Sequence, residues 1–327
     1  MPMKTQAMQI REFGGPEKLV LTDVEVPDPG PGFARVVIER IGVNFIDTYH
    51  RTGLYPLPLP FVPGVEAAGI VESVGAEVDA IAPGDRVAFA LVPGAYAGVC
   101  LAPARQLIRI PAALSSDLAA ASLLQGMTAH YLTHGVRTPR PGDTALVHAA
   151  AGGTGGLLIQ CLKAAGVRVM GTCSTQAKAA IARAAGADEV IRYDETDFRE
   201  SARAWTDGRG VDVVYDSVGR STFEGSLGSL RPRGLLCLFG QASGPVPPFD
   251  LGRLNGAGSL FVTRPSLGHY VATRAELELR AGWVFASLVE GRLHQSIDRH
   301  YALADAAEAH RDLESRRTTG KLLLDAR

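Results

Sequence analysis

The stretch Ala149-Ala150-Ala151-Gly152-Gly153-Thr154-Gly155-Gly156 decides how this chain is read. It follows an apolar run, Thr144 to His148, and opens a helical pattern from Leu157 to Ala165. Strand, glycine-rich bend and helix in that order bring backbone to a point where no Cβ blocks a pyrophosphate. The helix N-terminus there supplies unpaired N–H groups and a partial positive charge. Gly155 falls where helix and strand must pack closely. A glycine-rich turn with no ligand is the alternative, but its place between strand and helix favours dinucleotide binding.

Outward from this bend the texture is that of a parallel sheet covered by helices. Further apolar runs of strand length lie at Val167 to Thr172, Glu189 to Ile191, Val211 to Tyr215, Leu235 to Phe239 and Leu260 to Thr263. With Thr144 to His148 they give the six strands of a doubly wound dinucleotide fold. Before about residue 125 the chain instead shows short β-rich runs, such as Arg35 to Ile38, Gly69 to Val71 and Arg86 to Phe89. Clusters such as Pro27 to Gly32 separate them, as in an irregular antiparallel barrel. The boundary is expected near Gln125 to Ala129. Helical patterns from Arg274 to Glu290 and Ala304 to Ser315, and a last apolar run at Lys321 to Leu324, are expected to return to the first domain. The fold class is α/β.

The kind of dinucleotide is decided at the end of the second strand, where an acidic side chain would bind ribose hydroxyls. Here the strand ends Gly171-Thr172-Cys173-Ser174, without a carboxylate. Ser174 can cap the next helix and Lys178 lies one turn further on the same face. A 2'-phosphate would meet a hydroxyl, helix N–H groups and an ammonium, so NADPH is preferred over NADH. A plain N-cap for Ser174 and a solvated surface lysine for Lys178 stand as the bland alternatives.

Bulk properties fit a soluble enzyme. The 327 residues are 46% hydrophobic and 20% charged, with a formal net charge of -1, so no global field draws the chain to nucleic acid or an anionic membrane. Met1 to Ile10 carries no signal-peptide pattern, and no apolar run reaches the roughly 18–20 residues that span a bilayer. A cytoplasmic location is expected, without membrane insertion. The four cysteines, Cys100, Cys161, Cys173 and Cys237, form no C-x-x-C pair, and Cys161 and Cys237 read as buried small hydrophobes. His130 and His134 are expected on a partly exposed helix surface rather than as a metal pair.

From Gly142 to Lys163 the run GDTALVHAAAGGTGGLLIQCLK resembles the quinone oxidoreductase and ζ-crystallin signature of the medium-chain dehydrogenase/reductase superfamily. Gly64-Val65-Glu66, Gly69 and Gly75 resemble the signature of its barrel domain. Asn44 to Tyr49, Gly53 to Pro56, Tyr215 to Gly219 and Val262 to Leu267 are similar to NADPH quinone oxidoreductases, so the resemblance covers essentially the whole chain. It implies a GroES-like catalytic domain over residues 1–126, completed by 267–327, and a Rossmann domain over 127–266. It also implies a homodimer joined through the edges of the cofactor sheets.

Carried over by motif, the resemblance assigns Gly152, Gly153, Thr154 and Gly155 to the pyrophosphate, and Ser174 and Lys178 to the 2'-phosphate. Tyr193 falls beside the adenosine, and Ser217, Phe239, Gly240, Thr263 and Arg264 along the rest of the cofactor. Thr128 falls at the nicotinamide and Arg316 adds a positive charge near the 2'-phosphate. Thr154 departs from the valine most relatives carry. Zinc-bearing members place Cys, His and Cys where this chain has Asn44, Val65 and Gln125, so no metal is expected. A quinone accepts hydride without a Lewis acid, and the site need only hold it flat against the nicotinamide. Asn44 is expected as a hydrogen-bond donor to the acceptor, Tyr49 as a hydroxyl contact and Tyr55 as a rim aromatic, with water supplying the proton. Two other readings remain at this point: an NADPH-dependent reductase of α,β-unsaturated aldehydes or ketones, and a non-catalytic crystallin-like or RNA-binding protein.

Overall fold

In the N-terminal third each short apolar run between proline and glycine clusters becomes a strand. These are β1 (Met3–Gln9), β2 (Val20–Val26), β3 (Phe33–Gly42), β4 (Glu66–Val74), β5 (Arg86–Ala90), β6 (Val99–Pro103) and β7 (Ile108–Arg109). Strands β8 (Thr144–Val147), β9 (Arg168–Cys173), β10 (Glu189–Arg192), β11 (Val211–Asp216), β12 (Leu230–Leu238) and β13 (Phe261–Thr263) follow, interleaved with helices. The chain then adds β14 (Ile297–Ala302) and β15 (Lys321–Asp325). The computed structural model describes residues 1–326. They form two units: Met1–Gln125 together with the stretch from Val271, and Gly126–Tyr270.

In the first unit the main sheet runs β14-β15-β3-β4-β5-β7, with β6 also paired to β3, while β1 and β2 form a separate antiparallel pair. All its pairings are antiparallel except β14 with β15. The C-terminal run thus returns to this unit, where Leu323 to Asp325 pair with Gly42 to Arg40. Val36, Ile38, Ile41, Phe89, Tyr96, Leu107, Leu322 and Leu324 fill its core, each contributing about 1.5–3 kcal/mol of burial.

In the second unit six parallel strands stand in the order β10-β9-β8-β11-β12-β13. β8 is central, and the winding reverses between β8 and β11, which opens a crevice at the C-terminal ends of those strands. The buried faces of Leu146, Met170, Val214 and Leu236 hold one layer of helices to the sheet. β12 begins five residues before the expected Leu235, because Arg231-Pro232-Arg233-Gly234, which reads as a turn, is a bulge inside the strand. Val211 pairs with Leu230 but Val213 with Leu235, and Arg233 takes a φ of 59° to absorb the extra residues.

All four cysteines are buried free thiols. The expected exposure of His130 is corrected: it is buried, and only His134 is exposed. The helix loosens into a wider turn over Leu132–Val136, which stacks the two imidazoles with centroids 4.3 Å apart.

Candidate functional site

The second unit's candidate site begins where β8 stops. Ala149 takes a φ of 51° to turn the chain, and Gly152, in extended conformation, caps the helix Gly153–Ala164. No side chain takes up the first N–H groups of that helix. A Cβ on Gly155 would penetrate the carbonyl oxygen of Ala149, so only glycine lets the helix sit this close to the strand end. A similar approach occurs across β11 and β12, where a Cβ on Gly240 would meet the backbone of Ser217. Both glycines are thus required by close backbone approach at the ends of β8, β11 and β12, the edge at which such sheets bind a dinucleotide.

Buried polar side chains fix the bends. Asp216 ends β11 fully buried, and its Oδ1 accepts from the N–H groups of Val218 (2.8 Å) and Gly219 (3.0 Å). Its Oδ2 accepts from Ser226 Oγ at 2.8 Å. His148 joins this cluster to β9: its Nδ1 lies 2.9 Å from Thr172 Oγ1 and its Nε2 3.0 Å from Ser226 Oγ. Burial holds the imidazole below its ordinary range, against the raising effect of Asp216, so it stays neutral at pH 7. Sequence reasoning missed both roles, although Asp216 lies inside a quoted motif.

At the end of β9 one expectation is corrected. Thr175, not Ser174, caps the helix Gln176–Ala184: it takes the extended conformation a cap requires, and its hydroxyl accepts from Lys178 N at 3.3 Å. Ser174 is left at the bend, half-buried, with Lys178 half-buried in the first helical turn and no carboxylate from Gly171 to Thr175. Tyr193, 42% exposed, follows β10. Ser217 follows β11, Phe239 and Gly240 follow β12, and Thr263 and Arg264 end and follow β13. The parallel sheet therefore brings Gly152, Gly153, Thr154, Gly155, Ser174, Lys178, Tyr193, Ser217, Phe239, Gly240, Thr263 and Arg264 to one edge. Thr128 lies elsewhere in this unit, buried in the helix Ser116–Tyr131, and Arg316 belongs to the first unit, exposed, with a φ of 58°.

The first unit holds a second polar cluster around the start of the helix Phe45–Thr52. Its backbone N–H at Asn44 donates to Asp47 Oδ2 at 2.8 Å, and its C-terminus at Gly53 turns with a φ of 77°. That turn returns Tyr55 onto Tyr49, ring edge to ring face, with centroids 5.4 Å apart. The two expected aromatic contacts are thus brought together, Tyr49 half-buried and Tyr55 exposed.

Asn44 is placed differently from expectation. Its Nδ2 donates to Gly42 O at 2.9 Å and to Glu66 Oε2 at 3.0 Å, while its Oδ1 accepts from Lys321 Nζ at 2.8 Å and Gln125 Nε2 at 2.6 Å. Both amide hydrogens are spent inside the protein, so Asn44 has none to donate to an acceptor. Lys321 Nζ also donates to Glu66 Oε2 at 2.6 Å, and Glu66 Oε1 accepts from Leu124 N at 2.7 Å. Lys321 and Glu66 are almost completely buried. Burial lowers the pKa of Lys321 below its ordinary value, and the Glu66 carboxylate offsets only part of that. Gly42 is required here, because a Cβ would collide with that carboxylate.

Behind this cluster a directional chain supports the helix. Arg51, which can only donate, gives NH1 to His310 Nδ1 at 2.9 Å, so the ring carries its hydrogen on Nε2, 2.9 Å from Tyr96 OH. Tyr96 OH donates to Asp47 Oδ2 at 3.1 Å. Burial and Arg51 hold His310 down to about 3, and burial pushes Asp47 up to about 7 against the donation from Asn44.

Two family models match the chain. One, described as the alcohol dehydrogenase GroES-like domain, covers residues 30–138, and the other, described as zinc-binding dehydrogenase, covers residues 185–324. The residues here do not fit zinc: Val65 has no ligating atom, and Asn44 and Gln125 are amides already bonded to each other. A lysine ammonium, itself a cation, adjoins them. Among the described residues no group of three or more His, Cys, Asp or Glu side chains is arranged to hold a metal ion.

Among known proteins, a quinone oxidoreductase of Pseudomonas aeruginosa is 46% identical over 97% of this chain and 98% of its own length. A 2-haloacrylate reductase of a Burkholderia species is 43% identical over the same shares of both chains. The crystal structure of the Escherichia coli quinone oxidoreductase complexed with NADPH superposes with a TM-score of 0.96 at 44% identity, covering 98% of this chain and 99% of that one. With such agreement over nearly its full length, this chain belongs to the quinone oxidoreductase family.

Proposed function

We propose that this protein is an oxidoreductase that reduces quinones at the expense of NADPH. The observation that carries the reading is the end of β9, where hydroxyls and Lys178 stand in place of a carboxylate. It agrees with the NADPH bound by the Escherichia coli relative. Bound NADPH supplies the hydride. On this chain, the backbone from Gly152 to Gly155 receives the pyrophosphate, and Ser174 and Lys178 take the 2'-phosphate. Tyr193 borders the adenosine, and Thr128, Ser217, Phe239, Gly240, Thr263 and Arg264 border the remainder. Residues 127–266 act as the cofactor domain, and residues 1–126 with 267–327 receive the acceptor. There the Tyr49–Tyr55 pair offers an aromatic wall, and Asn44 supports the site from behind. Water delivers the proton that completes the hydroquinone.

Initial rates on a panel of quinones and enones, with NADPH and with NADH, test this. Quinones are expected to exceed enones in kcat/KM by at least about tenfold. The opposite ranking overturns the proposal in favour of a reductase of activated alkenes, a reading favoured by the 2-haloacrylate reductase relative. Lys178→Ala is expected to lower kcat/KM for NADPH by about 10- to 100-fold, the worth of a hydrogen bond to a charged group. NADH should stay within about twofold of wild type, and equal losses with both would remove the phosphate role.

We further infer a homodimer through β13. This strand lies at the edge of its sheet with Phe261 60% exposed and Val262 38% exposed, and such an edge pairs readily with a second copy. A monomer in sedimentation of the wild type at micromolar concentration would exclude it. A cytoplasmic location accords with the free thiols, and the near-neutral charge gives RNA no electrostatic foothold.

A further inference from the structure

The polar cluster of the first unit assigns its hydrogens with little freedom. Lys321 only donates, and the Glu66 carboxylate and Gly42 carbonyl only accept, so the amide of Asn44 is fixed: Nδ2 faces Gly42 and Glu66, Oδ1 faces Lys321. The 2.6 Å contact to Gln125 must then be Gln125 Nε2 donating to Asn44 Oδ1. Asn44 is filled at every position and both Glu66 oxygens are met. Gln125 is not. It is 94% buried, its Oε1 has no partner, and its second Nε2 hydrogen has none either. A buried amide left half-satisfied weakens the fold, and such groups persist where a ligand completes them.

We propose that Gln125 is the side chain that hydrogen-bonds the oxygen of the acceptor, and that Lys321 is its positioning residue, acting through Asn44. This rests on the quinone-reductase reading and deepens it. An amide suits both states of such an acceptor: Nε2–H donates to the carbonyl of a quinone, and Oε1 accepts from the hydroxyl of a hydroquinone. A quinone oxygen gains negative charge as hydride arrives at the ring, so the donated bond strengthens in the transition state. Lys321 keeps the Asn44 oxygen turned toward Gln125, which holds the Gln125 amide in one orientation.

The test uses the full-length protein with a benzoquinone and its hydroquinone. Gln125→Leu is expected to lower quinone kcat about 10- to 100-fold, with a smaller change in KM, and to weaken hydroquinone binding in titration. NADPH affinity should be unchanged and the melting temperature equal or higher, since an unmet polar group has been removed. Unchanged quinone kinetics, or an equal loss of NADPH affinity, overturns the assignment of Gln125. For Lys321 the paired variant Glu66→Gln/Lys321→Met avoids stranding a buried charge. It should lose quinone kcat as Gln125→Leu does, and adding Gln125→Leu should cost almost nothing more. Fully additive losses overturn the positioning role. Wild-type protein that oxidises NADPH with enones but with no quinone refutes the broader reading and this one together. Wild-type quinone turnover that is indifferent to Gln125 refutes only this one.

Discussion

Lys321→Met is expected to destabilise the protein by about 3–5 kcal/mol, the cost of removing one partner from a buried ion pair. Glu66 is wholly buried, and its Oε2 loses the 2.6 Å bond from the ammonium, keeping only Asn44 at 3.0 Å. Methionine fills most of the vacated volume, so the loss reports charge rather than a cavity. The paired variant Glu66→Gln/Lys321→Met is expected to recover most of the stability, because the uncompensated carboxylate is gone. Urea melts of the wild type, the single and the paired variant measure this. A single variant within about 1 kcal/mol of wild type would show that the ammonium contributes little to holding the carboxylate.

Gly155→Ala is the second large effect, expected to weaken NADPH by about 10- to 100-fold, or roughly 1–3 kcal/mol of overpacking transferred to the binding bend. The added methyl group would meet the Ala149 carbonyl, which is backbone and cannot rotate aside, and Ala149 already occupies a left-handed conformation. Relief requires the helix Gly153–Ala164 to move away from the strand end, carrying its N–H groups with it. Gly156→Ala is the control. Its Cβ would find nothing nearer than the Ala150 carbonyl at 4.0 Å, and alanine favours the helix. Fluorescence titration with NADPH should separate the two variants, and equal behaviour would remove the steric argument.

What the sequence made legible was local. The strand, glycine bend and helix from Thr144 to Ala165 lie within about one supersecondary unit, and their spacing alone places the bend at the sheet edge. Six strands are readable because each is a run of apolar residues bounded by glycine or charge, and the expected start of β12 falls late only because Pro232 and Gly234 mimic a turn. The cap at Thr175 rather than Ser174 is a shift of one residue, within the ordinary fraying of helix boundaries. The cluster of Asn44, Glu66, Gln125 and Lys321 was not legible, since Lys321 and Glu66 are 255 residues apart. A lone lysine at the head of the apolar run Lys321 to Leu324 was the one available signal, because a charge there needs a partner. Asn44 is expected from its type to donate to the acceptor, but residue type does not reveal where its hydrogens go, and both are taken by Gly42 and Glu66.

The placement of β15 between β14 and β3 has a bearing on biogenesis. During translation β6 can cover the Phe33 to Val37 half of one flank of β3 early, but the Arg40 to Gly42 end stays bare, because the segment that covers it is made only after the whole nucleotide-binding unit from Gly126 to Tyr270. The nascent N-terminal part must therefore wait with an adhesive border and an uncompensated Glu66, while the later unit, whose contacts are nearer in sequence, can close first. A chain stalled short of Lys321 would present that border to chaperones and proteases.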